Sequence, residues 1–313
     1  MAQMADYAFY LNRAREAAGL VSQMEAAFAR DPSDRGMRVN LSTAIRMAER
    51  TERDLYSIAF AEQVDLVRYK LVRHVTDAFG LSGVSRSLEL FQEAVTYVFE
   101  AVTGQPRERA SLSEAARKES ELQFGYSFAG SLGIVLVAPR PRDLFITNFD
   151  AVVKTIGEVF DVSDNYELRD AAKKIGPAAV RKLYEWSDVN YKAGYDLDLR
   201  WTNADSMESG RYLEIGKFRR LANLISLTSD IEERSVASRG TLVGFDSVYK
   251  TFHFVVPDGE SYKGQLAADF PMHRDWTVNR MYDAKILSEV TTKFSTGGET
   301  TKHRLAALKQ VDP

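Results

Sequence analysis

The chain has 313 residues, 45% hydrophobic and 27% charged, with a net charge of −3 and a pI near 5.9. This is the composition of a globular protein with room for two or three cores, not of a disordered segment, and it lacks the basic excess of proteins that coat nucleic acid. There is no cysteine, which excludes disulfides, thiolate metal sites and cysteine nucleophiles and fits a reducing compartment.

Residues 1–10 contain Asp6 and show neither a basic nor an apolar leader region, so no signal peptide is read there. The longest apolar stretch, residues 130–138, has nine residues, against the roughly 20 that a membrane-spanning helix needs. A cytoplasmic protein without a membrane partner is expected.

The first helix carries Tyr7, Tyr10, Ala14, Ala17, Val21, Met24 and Phe28 at alternating spacings of three and four, about three heptads of an a/d seam. The seam packs either against the next helix of the same chain or against another copy, making a homo-oligomer. Pro32 stops this helix. A second long helix is expected from Asn40 or Ser42 to Phe79. It carries Ile45, Leu55, Ile58, Leu66, Tyr69, Val72 and Val75 inward and closes at Gly80. A third follows over 85–102. Residues 1–105 thus read as a region of long helical hairpins.

The middle unit, 106–233, begins with a polar link and a short helix over 113–120. Gly133 to Val137 is a buried-strand signal, closed by Pro139-Arg140-Pro141-Arg142. Helices are expected over 148–160 and 166–175, with a third restarting at Pro177, which suits a first helical position. Residues 196–201 alternate, with Leu197, Leu199 and Trp201 on one face and Asp196, Asp198 and Arg200 on the other, as in a half-buried strand. A last helix is expected over 212–227, so the unit reads β-α-α-α-β-α.

Near Arg234 the hydrophobic rhythm changes from helical spacing to alternation. Strands are expected over 236–245, 251–256, 262–267, 284–294 and 300–308, with turns at 257–260 and 295–298. Five short strands with one longer connection describe a small all-β barrel, SH3-like or OB-like, over 234–313. The fold class expected is therefore α+β in three parts.

Most catalytic signatures are absent. No phosphate-cradling G-x-x-x-x-G-K-[ST] exists, and the glycines Gly130 and Gly133 precede a strand, where they serve a bend or a close backbone approach. Ser127 lies in a stretch one residue off the G-x-S-x-G elbow, but enters a strand where a helix should follow. Asp196 and Asp198, two residues apart on one strand face, are the candidate catalytic pair, because such carboxylates can hold a divalent cation for phosphoryl or nucleotidyl transfer. Arg200 beside them equally suits a solvated ion-paired face. Of four histidines none has the spacing of a helical metal site. His253 and His303 fall on strands of the β-module and would meet only if those strands adjoin. Glu214 to Lys217 reads as a helix start, with the glutamate favoured by the helix dipole. Arg140 and Arg142 form the best isolated basic element, a surface turn that can also touch a phosphate.

No cofactor or dedicated metal site is expected. The function expected is that of a non-catalytic interaction or assembly protein of bacterial type. It would self-associate through its N-terminal helices and bind a protein partner or a ligand through its β-module; the candidate binding residues are Arg140 and Arg142 of the middle unit and His253 and His303 of the β-module. Two alternatives stand beside it. One is a nucleic-acid-binding sensor or accessory factor, for instance in antiviral defence, although neither the net charge nor the balance of basic and acidic residues from Ile231 onward favours that partner. The other is a metal-dependent phosphoryl- or nucleotidyl-transfer enzyme using Asp196 and Asp198.

Overall fold

A computed structural model describes residues 3–62, 64–73, 79–104, 112–128, 132–138, 148–202, 209–272 and 275–311. The chain divides into two compact units, Met1–Leu227 and Thr228–Pro313. None of the described helices is long and apolar enough to cross a membrane.

The first unit opens with α1 (Gln3–Arg30) and α2 (Arg35–Ala61), packed side by side. Asp34 starts α2, its carboxylate accepting the Met37 amide at 3.0 Å. The second helix, expected to run to Phe79, ends at Ala61, and residues 65–72 form β1 (Asp65–Val72). Leu66, Tyr69 and Val72 fit a helical three-residue spacing, but the same stretch also alternates. Periodicity cannot decide so short a run; the slot between two neighbouring strands does. Gly80 accordingly sits at the N-cap of α3 (Leu81–Thr103) and ends no helix.

Then come α4 (Glu114–Ser120), β2 (Gln123–Phe128), β3 (Leu132–Ala138), α5 (Asn148–Asp161), α6 (Asn165–Ile175), α7 (Pro177–Ala193), β4 (Asp196–Trp201), β5 (Ser209–Leu213) and α8 (Ile215–Leu227). Besides the strand expected over Gly133 to Val137, a second one, β2, precedes it. Residues 209–213, in part expected to open the last helix, form an edge strand instead. The sheet order is β2-β3-β1-β4-β5, antiparallel throughout, so β1 is its centre. A Cβ at Gly133 would stand 2.1 Å from the Phe128 ring, so a larger residue there would have to displace that ring.

Strand alternation gives the sheet two unlike faces. Toward α1 and α2, Leu66, Val135, Val137 and Tyr126 pack with Ala14, Ala18, Leu55 and Ala59. On the opposite face Tyr69 meets Phe91 of α3 (4.9 Å between ring centroids), and the aromatic chain continues through Trp186 of α7 to Phe160 of α5 and Phe218 of α8. Polar groups are threaded through this apolar core. Trp186 Nε1 donates to the Tyr69 hydroxyl (3.1 Å), which donates to Ser87 Oγ (2.7 Å), which donates to Asn190 Oδ1 (2.7 Å). Asn190 Nδ2 donates in turn to the Trp186 carbonyl at 2.8 Å.

The second unit comprises β6 (Ser229–Asp246), β7 (Thr251–Val255), β8 (Ser261–Leu266), β9 (Arg280–Lys293) and β10 (Glu299–Gln310). They close into a barrel in the order β10-β8-β7-β6-β9. The β8–β10 pair is parallel and the other pairs are antiparallel. Its core is Leu242, Phe252, Phe254, Tyr262, Leu266, Phe270, Tyr282, Ile286, Leu305 and their buried neighbours. The closed five-stranded barrel expected at the C-terminus is present.

Tyr69→Phe tests the buried network. It leaves the Trp186 N–H without its acceptor, and unfolding should become easier by about 1–3 kcal/mol, the cost of an unsatisfied buried donor, read from the urea midpoint at unchanged m-value. Burial pushes the Tyr69 phenol from 10.0 up to about 12. The folded-state value lies above the free one, so this contribution is whole below pH 10 and is lost as pH rises toward 12. The alkaline fall in stability should therefore be shallower in the phenylalanine variant.

Candidate functional site on the C-terminal barrel

The barrel offers one continuous surface whose chemistry differs from a random mix of charges. Along β7, Phe252 and Phe254 point into the core, so Thr251, His253 and Val255 point out. Along β8, Tyr262 and Leu266 point in, so Ser261, Lys263 and Gln265 point out. The register places His253 directly opposite Lys263 and Thr251 opposite Gln265. The outward positions of these two strands carry no carboxylate. On the far side of β8, β10 runs parallel with His303 beside Gly264, which leaves Lys302 and Arg304 facing outward. Arg304 is paired with Glu289 of β9. The parallel approach depends on Gly264, where a Cβ would collide with the His303 carbonyl at 2.0 Å.

The turn joining β6 to β7 leads directly into this strand pair. One carboxylate oxygen of Asp246 accepts the amides of Val248 and Tyr249, both at 2.8 Å, fixing the backbone as an Asx turn. Lys250 closes it with φ of 54°, and its carbonyl accepts the Leu266 amide at 2.8 Å. The side chains have no such tether: Val248 is 81% exposed and Tyr249 78%. A rigid turn thus holds an aromatic ring in solvent at the start of β7. Desolvation first, and the Lys263 ammonium second, holds the His253 imidazole below its usual pKa, so it is mostly neutral at pH 7.

His253 and His303 do not meet. β8 lies between their strands, and His303 takes the inward side, where Ser288 Oγ stands 2.8 Å from its Nδ1 and the Tyr262 ring packs edge-on at 5.2 Å. Arg140 and Arg142 lie outside the described residues, as do His74 and His273.

Asp196, Asp198 and Arg200 share one face of β4, as the alternation requires. Asp196 is 2% exposed. One of its oxygens accepts the Tyr212 hydroxyl at 2.6 Å and the other the Ile215 amide at 2.7 Å, at the first residue of α8. That hydrogen bond, with burial adding to it, pushes the Tyr212 phenol up to about 12. Asp198 accepts both prongs of the Arg200 guanidinium at 3.0 and 3.2 Å. Glu214 directly precedes α8, where the helix start was expected. Among the described residues no group of three or more His, Asp or Glu is placed to hold a metal ion.

The α1 seam is used within the chain. Ala14, Ala17 and Val21 are buried, and Tyr7, Tyr10, Met24 and Phe28 are half-buried. Tyr7 and Tyr10 pack on the cluster shared by α2 and the sheet, and Arg15 donates to the Gly125 carbonyl of β2 at 2.8 and 3.2 Å.

Sequence reasoning located His253 but not Tyr249, Lys263, Lys302 or Arg304. The alternation of β8 carried the signal for Lys263, and the Asp246 turn carried it for Tyr249. The neighbourhood of β10 depends on strand order, which no local pattern states. No protein-family model, curated protein or solved structure matches this chain.

Asp196→Ala should unfold more easily by about 2 kcal/mol, because it removes two hydrogen bonds to a charged acceptor, one at a helix start. Magnesium at millimolar concentration should leave the melting temperature of the wild type unchanged. A magnesium-dependent rise that Asp198→Ala abolishes would restore the metal reading of this face.

Proposed function

We propose that this chain is a non-catalytic binding protein whose C-terminal barrel is OB-like and takes single-stranded nucleic acid across β7 and β8. Numbered within the module, the strands run 1-2-3-5-4 with strands 3 and 5 parallel, which is the order of OB barrels. Those barrels bind oligomers over strands 2 and 3, between the loops joining strands 1–2 and 4–5. The corresponding loops here are residues 247–250 and 294–298. This much is analogy of fold.

The observation that carries the ligand class is chemical. Lys263 on β8 and Lys302 on the adjoining β10 face outward beside strand positions without a carboxylate, while Lys250 and the exposed Tyr249 ring belong to the turn that enters β7 and Arg304 is held by Glu289. Cations along a groove follow the phosphates, and an exposed ring offers a stacking surface to any base. The net charge of −3 does not oppose this, since at physiological salt a charge is felt over only about 8 Å. The two other regions singled out in the sequence enter no part of this reading. Asp196 and Asp198 serve α8 and Arg200, and the apolar seam of α1 is covered by its own chain.

Anisotropy of a labelled 12-nucleotide single strand tests the proposal. Three phosphate contacts predict a slope of about −2 in log K against log salt, at about −0.7 per contact. Lys263→Ala should flatten that slope by about 0.7, and Tyr249→Ala should weaken binding by about 1–3 kcal/mol. Negligible binding at low salt, or binding that ignores both substitutions, overturns the reading.

A further inference from the structure

The outward positions of β7 hold one titratable side chain, His253, and the strands on either side set its surroundings. On β8 its direct partner is Lys263, and side chains in that relation have their Cβ atoms about 5 Å apart. On β6 its partner is Gly244, just after a register shift. A Cβ at Gly244 would lie 3.2 Å from the His253 Cβ, so the glycine offers the ring no side chain from the opposite position. His253 is half-buried and Lys263 exposed.

The other outward pairs of β7 and β8, Thr251 with Gln265 and Val255 with Ser261, are uncharged. From β6, Thr241 stands opposite Val255 and Asp246 opposite Thr251. Asp246 is the one carboxylate among these positions, and one of its oxygens is already held by the Val248 and Tyr249 amides. Beyond β8, β10 turns Lys302 and Arg304 outward, the latter paired with Glu289. The charged group that directly faces the imidazole is therefore a cation.

We propose that His253 contacts the same phosphate as Lys263 and takes up a proton when single-stranded nucleic acid binds, so that binding tightens as the pH falls; this rests on the reading of the barrel given above. In the free protein desolvation first, and Lys263 second, hold the imidazole below its ordinary value of 6.5. A phosphate seated across the two strands offsets the ammonium and favours the imidazolium. The proton is then held more tightly in the complex than in the free protein, and by reciprocity the protonated protein holds the phosphate more tightly. The added affinity is complete below the free-protein value and is lost as pH rises through the value in the complex. Lys263 supplies charge at every pH in this range, and His253 adds one that depends on it.

Anisotropy of a labelled oligothymidylate with the full chain, at about pH 6 and about pH 8 and fixed ionic strength, is the test, because thymine does not protonate in that window. The wild type should bind about tenfold more tightly at the lower pH, the equivalent of one pKa unit. The slope of log K against log salt should be steeper there by about 0.7, one further phosphate contact. His253→Gln should lose both differences. His253→Lys, charged at either pH, should also lose them and should bind more tightly than the wild type at the higher pH. Wild-type binding that ignores pH but still weakens in Lys263→Ala overturns the proton link and leaves the reading of the barrel standing, as does a pH difference that survives in His253→Gln. Negligible binding at both pH values overturns the two together. Circular dichroism of the variants verifies that they fold.

Discussion

Trp186 donates to Tyr69, Tyr69 to Ser87 and Ser87 to Asn190, and all four side chains are essentially excluded from solvent. This chain of hydrogen bonds joins the central strand β1 to α3 and α7. Each of the two hydroxyls needs both of its neighbours in place, and a low dielectric makes both the bonds and their loss larger than on the surface. The surrounding rings of Phe91, Phe160 and Phe218 supply most of the buried area, but area alone is non-directional. The hydrogen bonds set the register of β1 against the helices, and β1 in turn sets β3 on one side and β4 on the other.

With that register set, the opposite face of the sheet follows by alternation. Tyr69 inward toward α3 and α7 places Leu66 and Arg68 toward α1 and α2. Leu66 joins an apolar cluster. Arg68 cannot be buried alone, and the structure provides Glu52 and the Phe128 ring for it. The barrel obeys the same rule at smaller scale: Phe252 and Phe254 inward put His253 outward, and a parallel β10 brings its lysine and arginine alongside.

The elements that were legible in advance share one property, a strong local signal. Pro177 after Gly176, the Asp196–Trp201 alternation and the five β-module strands needed no distant partner to be recognised. β1 had no such signal, since its apolar residues suit both periods. Tyr212 and Leu213 of β5 were drawn into the following helix for a similar reason, as the hydrophobic stripe of α8 extends backward through them. At the candidate site the sequence marked His253 and His303, which would meet only if their strands adjoined; strand order puts β8 between them, and His303 faces inward. Asp196 and Asp198 were correctly put on one face. Their partners, the Ile215 amide and the Arg200 fork, show what they do in the fold.

The amino-acid sequence by itself determined which segments are amphipathic and with what period, because that depends on side chains a few residues apart. It determined in this way the long first helix, the helices from 148 onward and the all-β C-terminus. Tertiary structure alone decided that residues 65–72 become the centre of a sheet, that α1 is covered by its own chain, and that Lys263, Lys302 and Arg304 share a surface. Each of these depends on groups dozens to more than a hundred residues apart. The free energy of bringing them together belongs to the fold as a whole and leaves no trace in any local window.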